Sequence, residues 1–289
     1  MRFEKYFQPD SVEACCALLN EYRENARVLA GGTDLVPRLK MGLLKPTAVI
    51  GMMDIPGIDE ITLSDRGLVL GTLANLRRIS LDQRLDADYP VLKEACSHVS
   101  SLQVRNMATI GGNACNANPS ADAIHGLILY DAQAVIASMA GSRQIPILEL
   151  FAGPGKNTLE PGELLVKFVL PPVPSRTGAA YKKFAIRGDS DISIVGAGAL
   201  LTLAEDGTVS QARVSLGAVA PTPMRSAGAE ALLTGKVLTP ELMAQAAEAA
   251  AGDCSPISDQ RASWEYRLEM VRVWVRHALE EALARAESK

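Results

Sequence analysis

The start of the chain alternates an amphipathic segment with short apolar runs. Apolar positions between Val12 and Leu19 recur at helical spacing, and Ser11 in front of them is a residue type that caps helices. The apolar runs 26–30 and 47–50 are too short for helices and are typical of buried strands. This pattern predicts a small unit of mixed helix and strand.

The middle of the chain repeats the mixture. Runs 67–71, 132–138 and 164–170 predict further strands. Pro90 is well placed in the first turn of a helix that continues through His98, because a helix start does not use the N–H that proline lacks. These elements predict a second unit that follows the first.

The run Pro171-Pro172-Val173-Pro174 is the clearest change of composition, and we place a domain boundary there. Beyond it, runs near 195–203 and 209–216 enclose an acidic, glycine-containing turn and predict two strands. Thr239 followed by Pro240 predicts a helix start. A last helix is predicted by an apolar stripe: Trp264, Leu268, Val271, Val275 and Leu279.

The predicted domains are residues 1–172, with subdomains of about 1–55 and 56–172, and residues 175–289. Periodicity alone indicates only a mixed α/β class.

A glycine pair interrupts the pattern where the first predicted strand, 26–30, ends. Gly31-Gly32 closes this strand, and Thr33 can cap a short helix that runs through Leu39. Backbone N–H groups at such a turn can converge on an anion, although many glycine pairs are simply turns. The GxGxxG spacing of a nicotinamide site is absent, since Val36 stands where a later glycine is expected.

A second glycine pair lies in the stretch 108–122, which is rich in small and amide residues. We expect this stretch to form a loop outside the packed core. Gly111-Gly112 is followed by asparagines that can both donate and accept, and Asp122 can accept from ribose hydroxyls. The alternative is a surface Asx-turn loop. Two distant glycine turns favour one long diphosphate ligand, and FAD fits better than a mononucleotide does.

Composition narrows the class of protein. A net charge of -4 and a pI near 5.5 argue against a nucleic-acid partner. No run is long enough to cross a membrane and no targeting segment is evident, so we expect a cytoplasmic protein. Five scattered cysteines and the three distant histidines form no cluster or metal motif, and no metal is predicted.

These residues carry a family resemblance. Ala30-Gly-Gly-Thr-Asp-Leu-Val-Pro37 and Gln103-Val-Arg-Asn-Met-Ala-Thr-Ile-Gly-Gly-Asn113 closely resemble the two FAD signatures of the medium subunit of the xanthine dehydrogenase and carbon monoxide dehydrogenase family. The resemblance continues through 181–187 and Asp191 into 214–219, so that it covers essentially the whole chain.

The resemblance implies an α+β fold. A two-subdomain FAD-binding domain of the PCMH/VAO-like type is followed by a sheet-plus-helices domain like the C-terminal domain of the CO dehydrogenase flavoprotein, which covers the flavin. Lys183 matches a lysine near the flavin ring, and Leu159 a residue packed beside it. Val99 stands where some relatives place an aromatic ring.

The predicted FAD-binding residues, none of them catalytic, lie in both glycine turns and their surroundings: Leu29, Ala30, Gly31, Gly32, Thr33, Asp34, Leu35, Val99, Ala108, Thr109, Ile110, Gly112, Asn113, Asn116, Ala121, Asp122, Leu159 and Lys183.

By resemblance, the partners are a small subunit with two [2Fe-2S] clusters and a large molybdopterin subunit, assembled as a dimer of heterotrimers. The chain would relay electrons through FAD to NAD, a quinone or another acceptor. Two alternatives stay open: a self-contained FAD-dependent oxidase, and an assembly or interaction protein that holds no cofactor.

Overall fold

A computed structural model describes residues 3–187 and 190–289 of the chain. Its helices and strands follow one another in this order: β1 Lys5–Phe7, α1 Val12–Tyr22, β2 Ala26–Leu29, α2 Leu35–Lys40, β3 Ala48–Gly51, β4 Ile61–Ser64, β5 Gly67–Gly71, α3 Leu76–Leu81, α4 Pro90–Ser97, α5 Leu102–Met107, α6 Ile110–Asn116, α7 Ile124–Leu129, β6 Gln133–Ser138, β7 Gly141–Pro146, β8 Phe151–Gly153, β9 Lys156–Asn157, β10 Leu164–Leu170, β11 Thr177–Phe184, β12 Val195–Leu203, β13 Val209–Gly217, β14 Met224–Arg225, α8 Ala227–Leu233, α9 Pro240–Gly252 and α10 Trp264–Glu287.

The first subdomain is a parallel sheet in the order β1-β3-β2. Helix α1 packs its buried side chains Cys15, Cys16 and Leu19 into this unit, and Ser11 caps it by accepting a hydrogen bond from the N–H of Ala14. Because β2 leads directly into the first glycine pair, the sheet presents that turn at one of its edges.

The second subdomain contains an antiparallel sheet in the order β4-β5-β10-β6-β7. Helices α3, α4, α6 and α7 contribute to the same core, whose largest fully buried side chains include Tyr89, Tyr130 and Phe168. A bridge between Asn75 and Thr109 ties the start of α3 to the start of α6. The second glycine turn is thereby fixed to the centre of this subdomain.

The C-terminal domain is an antiparallel sheet, β11-β12-β13-β14, covered by α8, α9 and α10. Every residue of β12 is buried. Helix α10 approaches β11 so closely that a methyl group on Gly178 would lie 2.1 Å from the carbonyl oxygen of Ala282. The other face of the sheet meets the second subdomain, because Ala179, Tyr181 and Leu200 belong to that subdomain's core.

Most of the predicted elements are present within a residue or two of the expected bounds. Two expectations are wrong. Thr33 does not cap α2, because the helix begins after Asp34 and no side chain caps it. The stretch 108–122 is not a loop outside the core, because it contains α6, with Ile110 and Ala114 fully buried. Small residues there allow close helix packing, which the composition alone did not reveal.

Across the residues that the structure describes, there is no helix both long and apolar enough to span a lipid bilayer.

Candidate functional site

The two glycine turns, far apart in sequence, meet in space. A methyl group on Gly31 would lie 1.8 Å from the carbonyl oxygen of Met107 and 3.1 Å from the Cα of Ala108. One on Gly112 would lie 3.8 Å from the Cβ of Ala30. Only a residue without a Cβ permits the first of these approaches, so Gly31 is required for the junction between the subdomains.

The first turn presents unpaired donors. Within the described residues, the backbone N–H groups of residues 31–35 have no hydrogen-bond acceptor. Gly32 has a φ of +72°, a left-handed conformation that glycine adopts without cost, and this places the strand end and the start of α2 on either side of the turn. Consecutive unpaired N–H groups at a helix start form a site suited to an anion.

The second glycine turn is the first turn of helix α6, and its N–H groups are already paired within the protein. The N–H of Gly111 donates to the carbonyl oxygen of Thr72, and the N–H of Gly112 donates to Oγ1 of Thr109 at 3.0 Å. The hydroxyl of Thr109 keeps its own proton available for a ligand. Oδ1 of Asn113 is buried and lacks a partner within the described part of the chain. This turn therefore offers side-chain groups rather than backbone donors.

Both turns line one cleft of about 840 Å³. This volume lies in the upper part of the range of roughly 300–1,000 Å³ that is usual for small-molecule sites. The predicted site residues that line it are Ala30, Gly31, Gly32, Thr33, Asp34, Leu35, Val99, Ala108, Thr109, Gly112, Asn113, Asn116, Ala121, Asp122 and Leu159. The residues chosen from sequence thus converge on one surface.

The apolar lining comes from two different cores. Leu19, Met52 and Leu164 belong to the core of the first subdomain, whereas Val99 and Leu159 pack on that of the second. The polar turns lie where these subdomains join. The cleft therefore offers apolar contacts from both subdomains beside the two polar turns.

Three predicted residues are not part of this lining among the described residues: Leu29, Ile110 and Lys183. Ile110 is fully buried in the core, and Leu29 packs beneath Gly32. Lys183 lies behind Asp122, where its Nζ binds Oδ2 of Asp122 at 2.7 Å and the carbonyl oxygen of His98 at 2.9 Å. These three residues therefore lie behind the residues that line the cleft.

Asp122 joins the cleft to the C-terminal domain. Its Oδ1 accepts hydrogen bonds from the hydroxyls of Tyr181 and Ser193, both at 2.7 Å, and its Oδ2 accepts the bond from Lys183. The side chains of Asp122 and Lys183 are 8% and 5% exposed, so the pair is shielded from water. Burial, followed by the negative charge of Asp122, raises the pKa of Tyr181, which keeps its phenol protonated as a donor.

His125 lies next to this network. Its Nδ1 is 2.9 Å from Oγ of Ser215, and its ring centroid lies 4.5 Å from that of Tyr181, with the two ring planes tilted by 35°. Burial lowers the pKa of His125 to about 3, so the ring is neutral near pH 7. Methyl groups on Gly196 or Gly217 would lie 2.7 or 2.5 Å from its Nε2, which shows how tightly the C-terminal sheet encloses the ring.

Cys115 also lines the cleft, and burial raises the pKa of its thiol to about 12. The thiol is therefore protonated and a weak nucleophile. Among the described residues, no group of three or more His, Cys, Asp or Glu side chains is arranged to hold a metal ion.

Several contributing residues were not predicted. Thr72 supports Gly111, and Tyr181 and Ser193 hold Asp122. Ser100 also lines the cleft. No local signal marks these positions, because each acquires its role from a segment distant in sequence. Only the family resemblance around 181–187 directed attention to that strand.

Comparison with known proteins agrees with this geometry. Residues 1–173 match the family "FAD binding domain in molybdopterin dehydrogenase", and residues 179–282 match "CO dehydrogenase flavoprotein C-terminal domain". The chain is 32% identical over 281 residues to the 6-hydroxypseudooxynicotine dehydrogenase complex subunit alpha of Paenarthrobacter nicotinovorans, covering 97% of this chain and 95% of the relative. It is 35% identical over 266 residues to the xanthine dehydrogenase FAD-binding subunit of Escherichia coli O157:H7, covering 91% of each.

A solved structure has the same fold. The carbon monoxide dehydrogenase from Hydrogenophaga pseudoflava which lacks the Mo-pyranopterin moiety of its molybdenum cofactor contains a chain that superposes with a TM-score of 0.94 at 34% identity, covering 99% of this chain and 98% of that one. The fold and cleft define an oxidoreductase flavoprotein subunit. The chain belongs to the FAD-binding medium subunits of the molybdenum hydroxylase family, which includes the carbon monoxide and xanthine dehydrogenases. The predicted α+β architecture of two domains is thereby confirmed.

Proposed function

We propose that this chain relays electrons through FAD, from [2Fe-2S] clusters of a partner subunit to an external acceptor, within a heteromeric molybdenum hydroxylase or dehydrogenase. The meeting of the two glycine turns on one cleft carries this proposal, because it brings unpaired backbone donors of one subdomain to the hydroxyl and amide groups of the other. A dinucleotide that bridges two subdomains needs donors from both.

The first turn would hold the pyrophosphate. Its N–H groups at residues 31–35 are unpaired and lie at the start of α2, where the backbone dipoles favour a negative charge. The second turn adds the hydroxyl of Thr109 and the amide of Asn113, whose buried Oδ1 gains a partner if a ligand hydroxyl binds there. Together they would fix the centre of the cofactor and leave its two ring systems in the apolar parts of the cleft.

The remaining predicted residues would shape the ends of the site. Val99 and Leu159 are half-buried apolar side chains on the second subdomain, and they offer flat contact to a ring without hydrogen bonding. Asp122 is occupied by three donors of the C-terminal domain, so we assign it the role of holding that domain at the cleft in addition to any ribose contact. Lys183 would act through Asp122.

When bound, FAD supplies the ability to take up one electron or two, which suits a junction between clusters and a two-electron oxidant. The residues of this chain would bind the cofactor, orient it and exclude water from it. The substrate chemistry would belong to a large molybdopterin subunit, and the clusters to a small subunit. We propose a dimer of heterotrimers in the cytoplasm, with NAD, a quinone or another carrier as acceptor.

Native purification of the full chain from its source cells tests the proposal. We expect yellow flavin absorbance, iron–sulfur absorbance and two companion chains of distinct mass. Carbon monoxide, xanthine and 6-hydroxypseudooxynicotine, taken from the names of the relatives, serve as a first panel of reductants, and bleaching of the flavin band reports electron arrival.

Two outcomes would contradict the proposal. Turnover of an organic substrate by the isolated flavin-loaded chain would indicate a self-contained oxidase. A colourless chain that stays monomeric and does not bind added FAD would indicate an assembly or interaction protein. Yellow colour with companions but without bleaching by the panel leaves FAD binding and assembly supported, and the panel is then extended to aldehydes and N-heterocycles.

A further inference from the structure

One wall of the cleft is a short turn between α4 and α5, residues 98–100, whose three carbonyl oxygens are all bound by cations. Lys183 donates to the carbonyl oxygen of His98 at 2.9 Å. Nη1 of Arg105 donates to the carbonyl oxygens of Val99 at 3.1 Å and Ser100 at 2.7 Å. Val99 and Ser100 line the cleft.

This turn has a strained backbone. Ser100 has a φ of +47°, in the left-handed region that L-residues other than Asn and Asp rarely occupy. Glycine is the usual residue at a left-handed position just beyond a helix, where its missing Cβ removes the steric conflict. Because serine carries a Cβ, the conformation at Ser100 persists only if surrounding contacts hold it.

Arg105 makes those contacts. It is half-buried on α5, and among the described residues no carboxylate forms an ion pair with it. Its Nε is buried and lacks a partner in the same part of the chain. The guanidinium is therefore directed at the turn rather than at a carboxylate. Its hydrogen bonds to the turn offset the cost of burying the unpaired Nε.

We propose that Arg105 is a positioning residue of the FAD site: it clamps the Val99–Ser100 turn in its left-handed form and so fixes the wall against which the flavin packs. This inference rests on the proposed function, because it takes FAD as the occupant of the cleft. Arg105 acts through the turn and does not itself line the cleft among the described residues. Its Nη1 lies 2.7 Å from the carbonyl oxygen of Ser100, which does line the cleft, so its positive charge is close to that wall.

Fluorescence titration of the full chain with FAD tests the clamp. Arg105→Gln removes the charge and is expected to bind FAD about tenfold more weakly, equivalent to about 1.4 kcal/mol. Ser100→Gly relieves the steric conflict, so the double variant Ser100→Gly/Arg105→Gln is expected to recover most of the affinity. Arg66→Gln, an equal change of charge in the exposed turn between β4 and β5, is the matched control and is expected to bind like the wild type.

The reduction potential of the bound flavin separates geometry from charge. Loss of a nearby positive charge disfavours the reduced, more negative flavin, so the potential of Arg105→Gln is expected to be more negative than that of the wild type. Ser100→Gly is expected to restore affinity in the double variant without restoring the potential. A merely structural role for Arg105 would leave the potential unchanged once FAD is bound.

The inference would be overturned if Arg105→Gln bound FAD with wild-type affinity, or if the double variant recovered none of the lost affinity. In either case, FAD binding by the wild type would leave the proposed function intact. Absence of FAD binding by the wild type would instead overturn the proposed function. If Arg105→Gln does not fold, Arg105→Lys replaces it: a smaller loss of affinity that Ser100→Gly restores supports the clamp, and a loss that it does not restore refutes it.

Discussion

The two glycine turns look alike in sequence but differ in what surrounds them. The first, at Gly31-Gly32, leaves its backbone donors unpaired. The second, at Gly111-Gly112, donates its N–H groups to Thr72 and Thr109 and is built into the core of its subdomain. The first pair thus keeps free backbone donors beside the close approach at Gly31, whereas the second pair uses its donors within the protein.

This difference indicates that changes near the two turns will have separable effects. The segment of the second turn extends through Asp122 and His125 to the C-terminal domain, so its changes should reduce the free energy of unfolding. Changes at Gly32 in the first turn, where an added methyl group would meet only side-chain atoms, should weaken FAD binding more than they destabilise the chain. Four experiments test whether the two glycine pairs have these separate roles, in order of decreasing expected change in stability.

Asp122→Asn should have the largest effect, because it leaves Lys183 buried and charged without its partner. We expect the free energy of unfolding in urea to fall by about 3–5 kcal/mol, the range for breaking a buried pair by removing one partner. The double variant Asp122→Asn/Lys183→Met removes both charges and should be more stable than the single variant. A loss below about 1 kcal/mol would show that the pair is hydrated and not a link between domains.

Gly111→Ala should follow. The added methyl group would lie 1.7 Å from Oγ1 of Thr72 and 2.7 Å from its carbonyl oxygen, so the backbone must move. We expect a loss of about 3 kcal/mol in urea unfolding, at the upper end for overpacking. Gly252→Ala is the control, because nothing lies within 4 Å of its added methyl group. Equal stability of the two variants would refute the packing role of the second turn.

Lowering the pH should reduce the free energy of unfolding through His125, which helps to attach the segment of the second turn to the C-terminal domain. Its folded pKa of about 3 lies below the unfolded value near 6.5, so the unfolded chain binds the proton more readily between these values. The contribution of neutral His125 to the free energy of unfolding is therefore fully present above pH 6.5. It is lost as the pH falls, by about 2 kcal/mol between pH 6.5 and 5. Urea unfolding at both pH values should show this loss in the wild type but a smaller one in His125→Gln. Equal losses would exclude His125 as the source.

Gly32→Ala should have the smallest effect on stability. A φ of +72° costs an alanine about 1–2 kcal/mol, and its methyl group would lie 3.1 Å from side-chain atoms of Leu29 and Val36, which can adjust. We expect a loss of about 1 kcal/mol in urea unfolding of the flavin-free chain but clearly weaker FAD binding in a fluorescence titration. Unchanged FAD affinity would contradict the assignment of the first turn as the pyrophosphate site.

Much of the fold was predictable because its elements are locally encoded. The strand Leu164–Leu170 and the helix cap at Thr239 follow from apolar periodicity and capping chemistry. The prediction for 108–122 was wrong because small residues are equally compatible with a loop and with a tightly packed helix. Which of the two forms depends on whether another segment packs against it, as Thr72 does here.

Local sequence patterns were enough to predict most of the longer strands and helices, the two glycine pairs and the family that they indicate, since these depend on neighbouring residues. The folded chain alone shows which glycine pair keeps free donors, which side chains hold Asp122 and that Arg105 binds the Val99–Ser100 turn. A hydrogen bond or a close approach between residues of different elements is set by how whole elements pack, and local preferences carry no information on that packing.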